Sequence, residues 1–164
     1  MANIELSRLS DGGSGIVRDG SSTLTKNDAS AINKLMGELT DGKARALTEA
    51  DIFIIITQEK LAMVVARDLE ENIRNGPKII GMGTIHWIEL PTKVNAYIDD
   101  VVVDSNYRGQ KIGEKITQEL IRIAKLIGAK CIDLTSSPNR TAANKLYQKL
   151  GFVKRETNVY RLNL

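Results

Sequence analysis

The chain has 164 residues, 42% hydrophobic and 26% charged, a composition typical of a soluble globular protein, and we predict a single domain over residues 1–164. No apolar run approaches the roughly 20 residues of a membrane span, and the N-terminal residues lack a signal-peptide pattern. The single cysteine, Cys131, cannot form an internal disulfide, so we expect a cytoplasmic setting.

The net charge of +3 is unevenly distributed along the chain. Residues 1–100 hold 11 Lys and Arg against 15 Asp and Glu, whereas residues 101–164 hold 12 against 5. The C-terminal part would therefore attract an anion. Nucleic acid is disfavoured as that anion, because the sequence has no basic run with interleaved aromatic residues.

The first sixty residues predict one strand and two helices. Residues 4–9 alternate weakly as a strand, and the Gly- and Ser-rich residues 10–22 indicate a loop or loose hairpin. A helix is expected to begin at about Asp28 and to end at residue 40, before the sequence "DGK" at residues 41–43. Residues 47–57 are ambiguous: Thr48 and Asp51 indicate a helix N-cap, while three consecutive isoleucines favour a strand. We predict a short helix there.

The next elements predict an antiparallel meander followed by a parallel crossover. Strands are expected at 61–68, 79–90 and 95–104, with turns at 70–78 and 91–94. A helix over 111–127, a strand over 130–136 and a helix from 139 or 140 to 150 come next. The alternation of residues 152–164 predicts a final strand pair. A strand, helix and strand in succession imply parallel pairing, so the sheet is mixed.

The junction between the strand at 95–104 and the following helix predicts an anion site. The first amides of a helix lack internal partners and carry partial positive charge, and a glycine-containing turn lets such amides converge on one anion. Arg108 and Lys111 add full charges. The alternative is an ordinary turn with surface cations. Neither a dinucleotide fingerprint nor a Walker loop is present.

Two motifs in this order resemble the GNAT superfamily of acetyl-coenzyme A dependent N-acyltransferases. "RGQKIG", residues 108–113, is similar to that family's motif A, and "AANKLYQKLGF", residues 142–152, is similar to its second signature. The resemblance implies an α+β fold with a mixed, mostly antiparallel sheet and helices on both faces. It also implies acetyl-CoA as cosubstrate, no metal, and transfer of acetyl to a primary amine of a small molecule or peptide.

The resemblance assigns the coenzyme site to two segments. The pantetheine arm would pair with the backbone of Val101, Val102 and Val103, and an N–H near Val101 or Val102 would stabilise the carbonyl oxygen as it gains charge. The diphosphate would lie on motif A, whose residues are Arg108, Gly109, Gln110, Lys111, Ile112 and Gly113.

Two positions depart from the family pattern. Lys111 replaces the usual Gly, and its N–H would still face phosphate if the residue is already helical. Arg140 stands where the family often has Asn, so coenzyme contact by an amide side chain falls to Asn139 or Asn144.

The resemblance also assigns Tyr147 as the general acid towards the coenzyme sulfur, with a buried structural tyrosine as the alternative. Asp99 and Asp100 are the acids nearest the acetyl position. Adjacent strand residues point to opposite faces, so at most one is expected to face the acceptor. We prefer Asp99, which would share a face with Tyr97, Val101 and Val103, although a water chain or a structural carboxylate remain open. His86 is a further candidate for acceptor contact or for the base, with a structural histidine as the alternative.

Two alternatives to catalysis stay open. One is a non-catalytic acyl-CoA sensor or interaction module on the same fold, and the other is a small nucleic-acid-binding domain. The acidic balance of residues 1–100 mildly favours a cationic acceptor. Because members of the family often dimerise, a homodimer is also open.

Overall fold

The computed structural model describes residues 3–10, 21–25, 27–73 and 76–163. They fall into two compact units, Met1–Leu134 and Thr135–Leu164. Most of the predicted loop at 10–22 lies outside the described residues. Within these ranges, no helix is long and apolar enough to cross a membrane.

The first unit contains a six-stranded mixed sheet with three helices. The strands are β1 (Ile4–Ser10), β2 (Ser21–Thr23), β3 (Leu61–Ile73), β4 (Gly76–Leu90), β5 (Lys93–Val103) and β6 (Cys131–Leu134), in the spatial order β2-β1-β3-β4-β5-β6. The helices are α1 (Asp28–Thr40), α2 (Glu49–Ile56) and α3 (Ile112–Leu126).

The pairing confirms the predicted fold class. β1 with β3, β3 with β4 and β4 with β5 are antiparallel, whereas β5 with β6 and the short β1 with β2 are parallel. The meander is longer than predicted, because β3 continues to Ile73 and β4 begins at Gly76. We expected a long turn over residues 70–78.

The ambiguous segment at 47–57 forms the predicted helix because its start is capped. The Thr48 side chain accepts a hydrogen bond from the Asp51 N–H, and the Asp51 carboxylate accepts one from the Thr48 N–H at 2.8 Å. This reciprocal capping box satisfies donors that the first turn would otherwise leave unpaired. It outweighs the strand preference of the isoleucine run.

Two helices cover one face of the sheet. Ile32 and Leu35 of α1 and Ile52 of α2 pack in one buried cluster with Met63 of β3 and Met82 of β4. Each of these side chains is at most 2% exposed. Burying a large aliphatic side chain stabilises a fold by about 1.5–3 kcal/mol, so this cluster fixes both helices to the sheet.

The third helix covers the opposite face. Successive residues of a strand alternate between faces, and Gly81 and Gly83 flank Met82 in β4. A Cβ atom built on Gly83 would lie 2.9 Å from the Cγ2 of Ile116 in α3. The absence of side chains at these two glycines therefore lets α3 pack directly on the backbone of the sheet.

The second unit consists of α4 (Thr141–Lys149) and an irregular C-terminal segment. The prediction of a strand pair at 152–164 is wrong, because residues 152–163 form no strand. Side chains of both parities, Val153 and Val159 as well as Tyr160 and Leu162, are between 77% and 88% exposed. Alternation favours a strand only where one face is covered and the backbone finds a partner.

Candidate functional site

One edge of β5 is left without a strand partner where the sequence predicts the thioester arm. β6 pairs with residues 95–98 of β5, and the last pair joins Ile98 to Leu134. In the described ladder, Asp99, Val102 and Val103 pair with β4 on the other side, and Asp100 and Val101 lie between these pairs. Outward N–H and C=O groups of this stretch can therefore pair with an extended ligand as an added strand, while the Val103 carbonyl already accepts a hydrogen bond from the Arg108 Nε.

A bulge lies at the start of this open edge. Thr84 of β4 pairs with Asp99, and Met82 pairs with Val102, so β5 contains one more residue than β4 over this stretch. Asp100 lies in this bulge, and its φ is 54°. Only a few per cent of non-glycine residues adopt this left-handed conformation, and such strain is often found at functional sites.

The bulge changes which side chains share a face, so one prediction is wrong. We expected Asp99 to share a face with Val101 and Val103. Instead Asp99 lies opposite Thr84, while Val101 is on the other side of the sheet, where its Cγ2 would lie 3.3 Å from a Cβ built on Gly83. One additional residue reverses the alternation downstream of it.

A cavity of about 290 Å³ opens on the face of the sheet that α1 and α2 cover. We call it the sheet cavity. Its apolar lining is Ile32, Met36, Leu47, Ile55, Leu61, Met63 and Met82, and its polar lining is Gln58, Thr84, His86, Asp99 and Asp100. The expectation that the two adjacent aspartates would point to opposite faces of the sheet is therefore wrong, because the bulge brings both to this cavity.

The polar residues of the sheet cavity interact with one another. The Asp99 Oδ2 lies 3.4 Å from the His86 Nδ1, and the His86 ring stacks on Tyr97 with 5.6 Å between centroids. Burial raises the pKa of the Asp100 carboxyl above its ordinary value, the negative charge of Asp99 raises it further, and a hydrogen bond with Thr84 lowers it. A carboxyl with a raised pKa is a stronger proton acceptor once ionised.

Motif A forms the turn that begins α3. Gly109 has a φ of 81° and Lys111 a φ of 60°, so both are left-handed. The expectation that Lys111 would already be helical is wrong: it is the residue before the helix, and its side chain makes no capping hydrogen bond. The amides of Ile112 and Gly113 begin α3 and have no acceptor within it. They can bind an anion.

The side chain of Arg108 is hydrogen-bonded to two groups of the first unit. Its Nη2 donates to the Glu38 carboxylate at 3.2 Å and its Nε to the Val103 carbonyl at 3.3 Å. Glu38 also accepts from the Ser105 N–H at 3.0 Å. Glu38 of α1, which the sequence motifs did not indicate, thus holds the turn before α3 from both ends.

The remaining predicted residues lie in the second unit. Tyr147 on α4 packs edge-on against Phe152, with 5.8 Å between ring centroids. Burial raises the pKa of the Tyr147 hydroxyl, and the charge of Arg140 lowers it in part. Asn144 donates from its side chain to the Ser137 carbonyl at 3.0 Å, whereas Asn139 is exposed just before α4. Asn144 is therefore occupied locally and Asn139 is the more accessible amide.

Sequence reasoning missed Thr84 and Glu38. Thr84 precedes His86 by two residues, so period-two alternation places both on one face and is the signal that would have found it. Nothing near Glu38 in the sequence indicates its contact with a turn nearly seventy residues away. Among the described residues, no group of three or more His, Cys, Asp or Glu is arranged to hold a metal ion.

Comparison with known sequences gives one family. The family described as "Acetyltransferase (GNAT) family" matches residues 35–152. The chain is 36% identical over 73 residues to N-alpha-acetyltransferase 30 of Schizosaccharomyces pombe, a match that covers 44% of this chain. The match spans about half (48%) of that relative's length.

Solved structures share the fold over nearly the whole chain. A Trypanosoma brucei acetyltransferase superposes with a TM-score of 0.72 at 24% identity, covering 99% of this chain and 100% of its own. Glucosamine-6-phosphate N-acetyltransferase from Arabidopsis thaliana gives 0.72 at 18% identity, with 98% of each chain covered. An aminoglycoside acetyltransferase from an uncultured soil metagenomic sample gives 0.71 at 20%, covering 98% and 95%. At these identities the likeness concerns the fold alone.

Proposed function

Because this chain belongs to the acetyltransferase (GNAT) family, we propose that it transfers acetyl from acetyl-CoA to a primary amine by direct attack in a ternary complex. The observation that carries the proposal is the end of β5–β6 pairing at Ile98. From that point the open edge of β5 runs beside the bulge and on towards the first amides of α3. The sheet cavity opens at the same bulge.

The residues present fit acetyl-CoA on two counts. The open edge at 99–103 offers backbone groups to an amide-containing arm, for which Val101, Val102 and Val103 are the predicted partners. The turn with Gly109, Gln110, Lys111, Ile112 and Gly113 offers amides and an exposed cation to a diphosphate. Arg108 supports the turn and lends its positive charge. When bound, the cosubstrate supplies a reactive thioester.

The protein's own groups then hold the amine and move its protons. Amine and thioester held at contact distance react far faster than free reactants do, because positioning replaces a bimolecular encounter. We propose that Asp99 or Asp100 accepts the proton of the attacking amine, either directly or through water. Tyr147 is the proposed donor to the departing sulfur. Its raised pKa keeps the hydroxyl protonated at neutral pH.

A panel of amines incubated with acetyl-CoA, with free thiol as the readout, tests the proposal. Tyr147→Phe is expected to lower kcat by about 10²-fold or more, the usual contribution of a positioned proton donor. Tyr160→Phe is the matched control, because Tyr160 is 88% exposed, and its kcat should equal that of the parent.

Two other outcomes would contradict the proposal. Heat of coenzyme A binding without thiol release from any amine would indicate a sensor on this fold. Binding of DNA or RNA that weakens steeply with salt and that coenzyme A does not displace would indicate a nucleic-acid-binding domain. Sedimentation of the purified chain tests whether it forms the homodimer that the sequence leaves open, and fractionation of cells tests the expected cytoplasmic location.

A further inference from the structure

We propose that the acceptor is a small primary amine with one positive charge and an apolar body, bound in the sheet cavity. This inference rests on the proposed function and names its substrate class. It depends on the charge, the lining and the size of the cavity.

The charge of the cavity excludes an anionic acceptor. Two carboxylates, those of Asp99 and Asp100, line it, and none of its lining residues in the described part of the chain is Lys or Arg. An ammonium group beside these carboxylates is favoured by charge, while a phosphate or carboxylate on the acceptor would meet repulsion without a compensating cation. An amino-sugar phosphate therefore does not fit.

The apolar wall excludes a second charge elsewhere on the acceptor. Seven of the twelve lining residues are apolar, and three of these, Met36, Met63 and Met82, are methionines. Moving an ionised group against such a surface without a partner is costly, so a diamine would lose affinity relative to a monoamine of equal length. Methionine side chains adapt to irregular aliphatic shapes, which favours an alkyl or branched body over one fixed shape.

The volume limits the size of the acceptor. At about 30 Å³ for each water-sized group, a cavity of about 290 Å³ holds roughly ten heavy atoms. A hexyl chain or the side chain of one leucine fits within that limit, whereas a whole aminoglycoside would extend beyond the space that the lining encloses. The same chemistry occurs in a free alkylamine and at the amino terminus of a peptide that begins with a large aliphatic residue.

Three amines of matched length test the inference with the parent chain and acetyl-CoA. Hexylamine ends in a methyl group, 1,6-diaminohexane in an ammonium and 6-aminohexanoate in a carboxylate. We expect kcat/KM for hexylamine to exceed both others by about tenfold or more, the scale on which pockets discriminate such changes. An equal or higher value for the diamine or the amino acid overturns the inference.

Two further sets of amines distinguish a free amine from a peptide terminus, and a failure of this inference from a failure of the proposed function. Comparing kcat/KM for leucinamide with that for a tetrapeptide that begins with leucine distinguishes a free amine from a peptide terminus. For either source, glycinamide, which lacks the aliphatic side chain, is expected to be the poorest acceptor. If glucosamine-6-phosphate or spermidine reacts while hexylamine does not, the inference fails and the proposed function stands. If no amine in the whole panel reacts, both fail.

Charge placed in the cavity should change the preference. Met36→Glu adds a carboxylate to the apolar wall, so the kcat/KM ratio of 1,6-diaminohexane to hexylamine should rise about tenfold. Leu126→Glu is the matched control, because Leu126 is 58% exposed on α3 and lies outside the cavity lining. Gln58→Glu, at an exposed lining position, provides the same test should Met36→Glu fail to fold. An unchanged ratio in the folded variants overturns the inference.

Discussion

The contact between β4 and α3 predicts a coupling that distinguishes two neighbouring glycines. A Cβ on Gly81 would lie 3.0 Å from the Cδ1 of Ile116, whereas a Cβ on Gly83 would lie 2.9 Å from the Cγ2 of the same residue. The contact at 2.9 Å is shorter than real Cβ contacts and the one at 3.0 Å is tighter than nearly all of them, so either alanine must displace Ile116 or the helix that carries it. Overpacking of this kind costs about 1–3 kcal/mol of unfolding free energy.

Ile116→Val removes Cδ1 and keeps a methyl group in the Cγ2 position. Alone it should cost about 0.5–1.5 kcal/mol, because Ile116 is fully buried. Combined with Gly81→Ala it removes the shortest clash, so the double variant should be more stable than the sum of the single effects by about 0.5 kcal/mol or more. Combined with Gly83→Ala it leaves the clashing methyl in place, and the two effects should add.

Urea unfolding followed by the fluorescence of Trp87 on β4 measures all five variants and the parent. If Gly81→Ala and Ile116→Val are additive within about 0.3 kcal/mol, the steric reasoning is refuted. Equal rescue of Gly83→Ala refutes it as well, because it would indicate general loosening. Since α3 begins at the proposed diphosphate turn, Gly81→Ala should also raise the KM for acetyl-CoA.

Three further predictions concern the site. Glu38→Gln weakens the hold on Arg108 and should raise the KM for acetyl-CoA about two- to fivefold, the scale of an exposed ion pair; Glu119→Gln, on the outer side of α3, should leave it unchanged. Lys111→Gly relieves left-handed strain of about 1–2 kcal/mol against about 0.5–1 kcal/mol of added chain entropy. A net stabilisation in urea unfolding is expected, and none for Lys111→Ala. Asp100→Asn should stabilise the fold at neutral pH, because burial raises the folded pKa of Asp100 and thereby penalises its charged form. That gain in unfolding free energy should decrease as the pH falls through the raised pKa and should vanish below the ordinary pKa of 3.8, where Asp100 is protonated in both states. A gain that does not change with pH would contradict this explanation.

Elements with strong periodicity or explicit end signals were predictable from the sequence. Ile112, Ile116, Leu120 and Ile123 recur at helical spacing, and all four are buried on one face of α3. Gly128, with a φ of 72°, follows directly after the predicted end of that helix at residue 127. Such signals are local, since one stretch of chain contains both the pattern and its boundary.

Features that depend on a distant partner were not predictable in this way. The residue pattern at 152–164 does not determine whether another strand will pair with that segment. Glu38 binds Arg108 only once α1 contacts the turn before α3. Likewise, the length of β6 determines where the open edge of β5 begins. Each of these features is fixed by tertiary pairing, which local propensity does not encode.

The bulge at Asp100 has the largest consequence for chemistry. Period-two reasoning allows only one of two adjacent aspartates to face the acceptor, yet the left-handed Asp100 brings both to the sheet cavity. Burial raises the pKa of the Asp100 carboxyl, and the negative charge of the neighbouring Asp99 raises it further. A strand of regular alternation would point the two carboxyls to opposite faces and weaken the part of that shift that the charge of Asp99 causes. In the proposed function, the strained residue therefore brings to one cavity two carboxyls that a regular strand would separate, one to hold the ammonium group and one, with a raised pKa, to accept its proton.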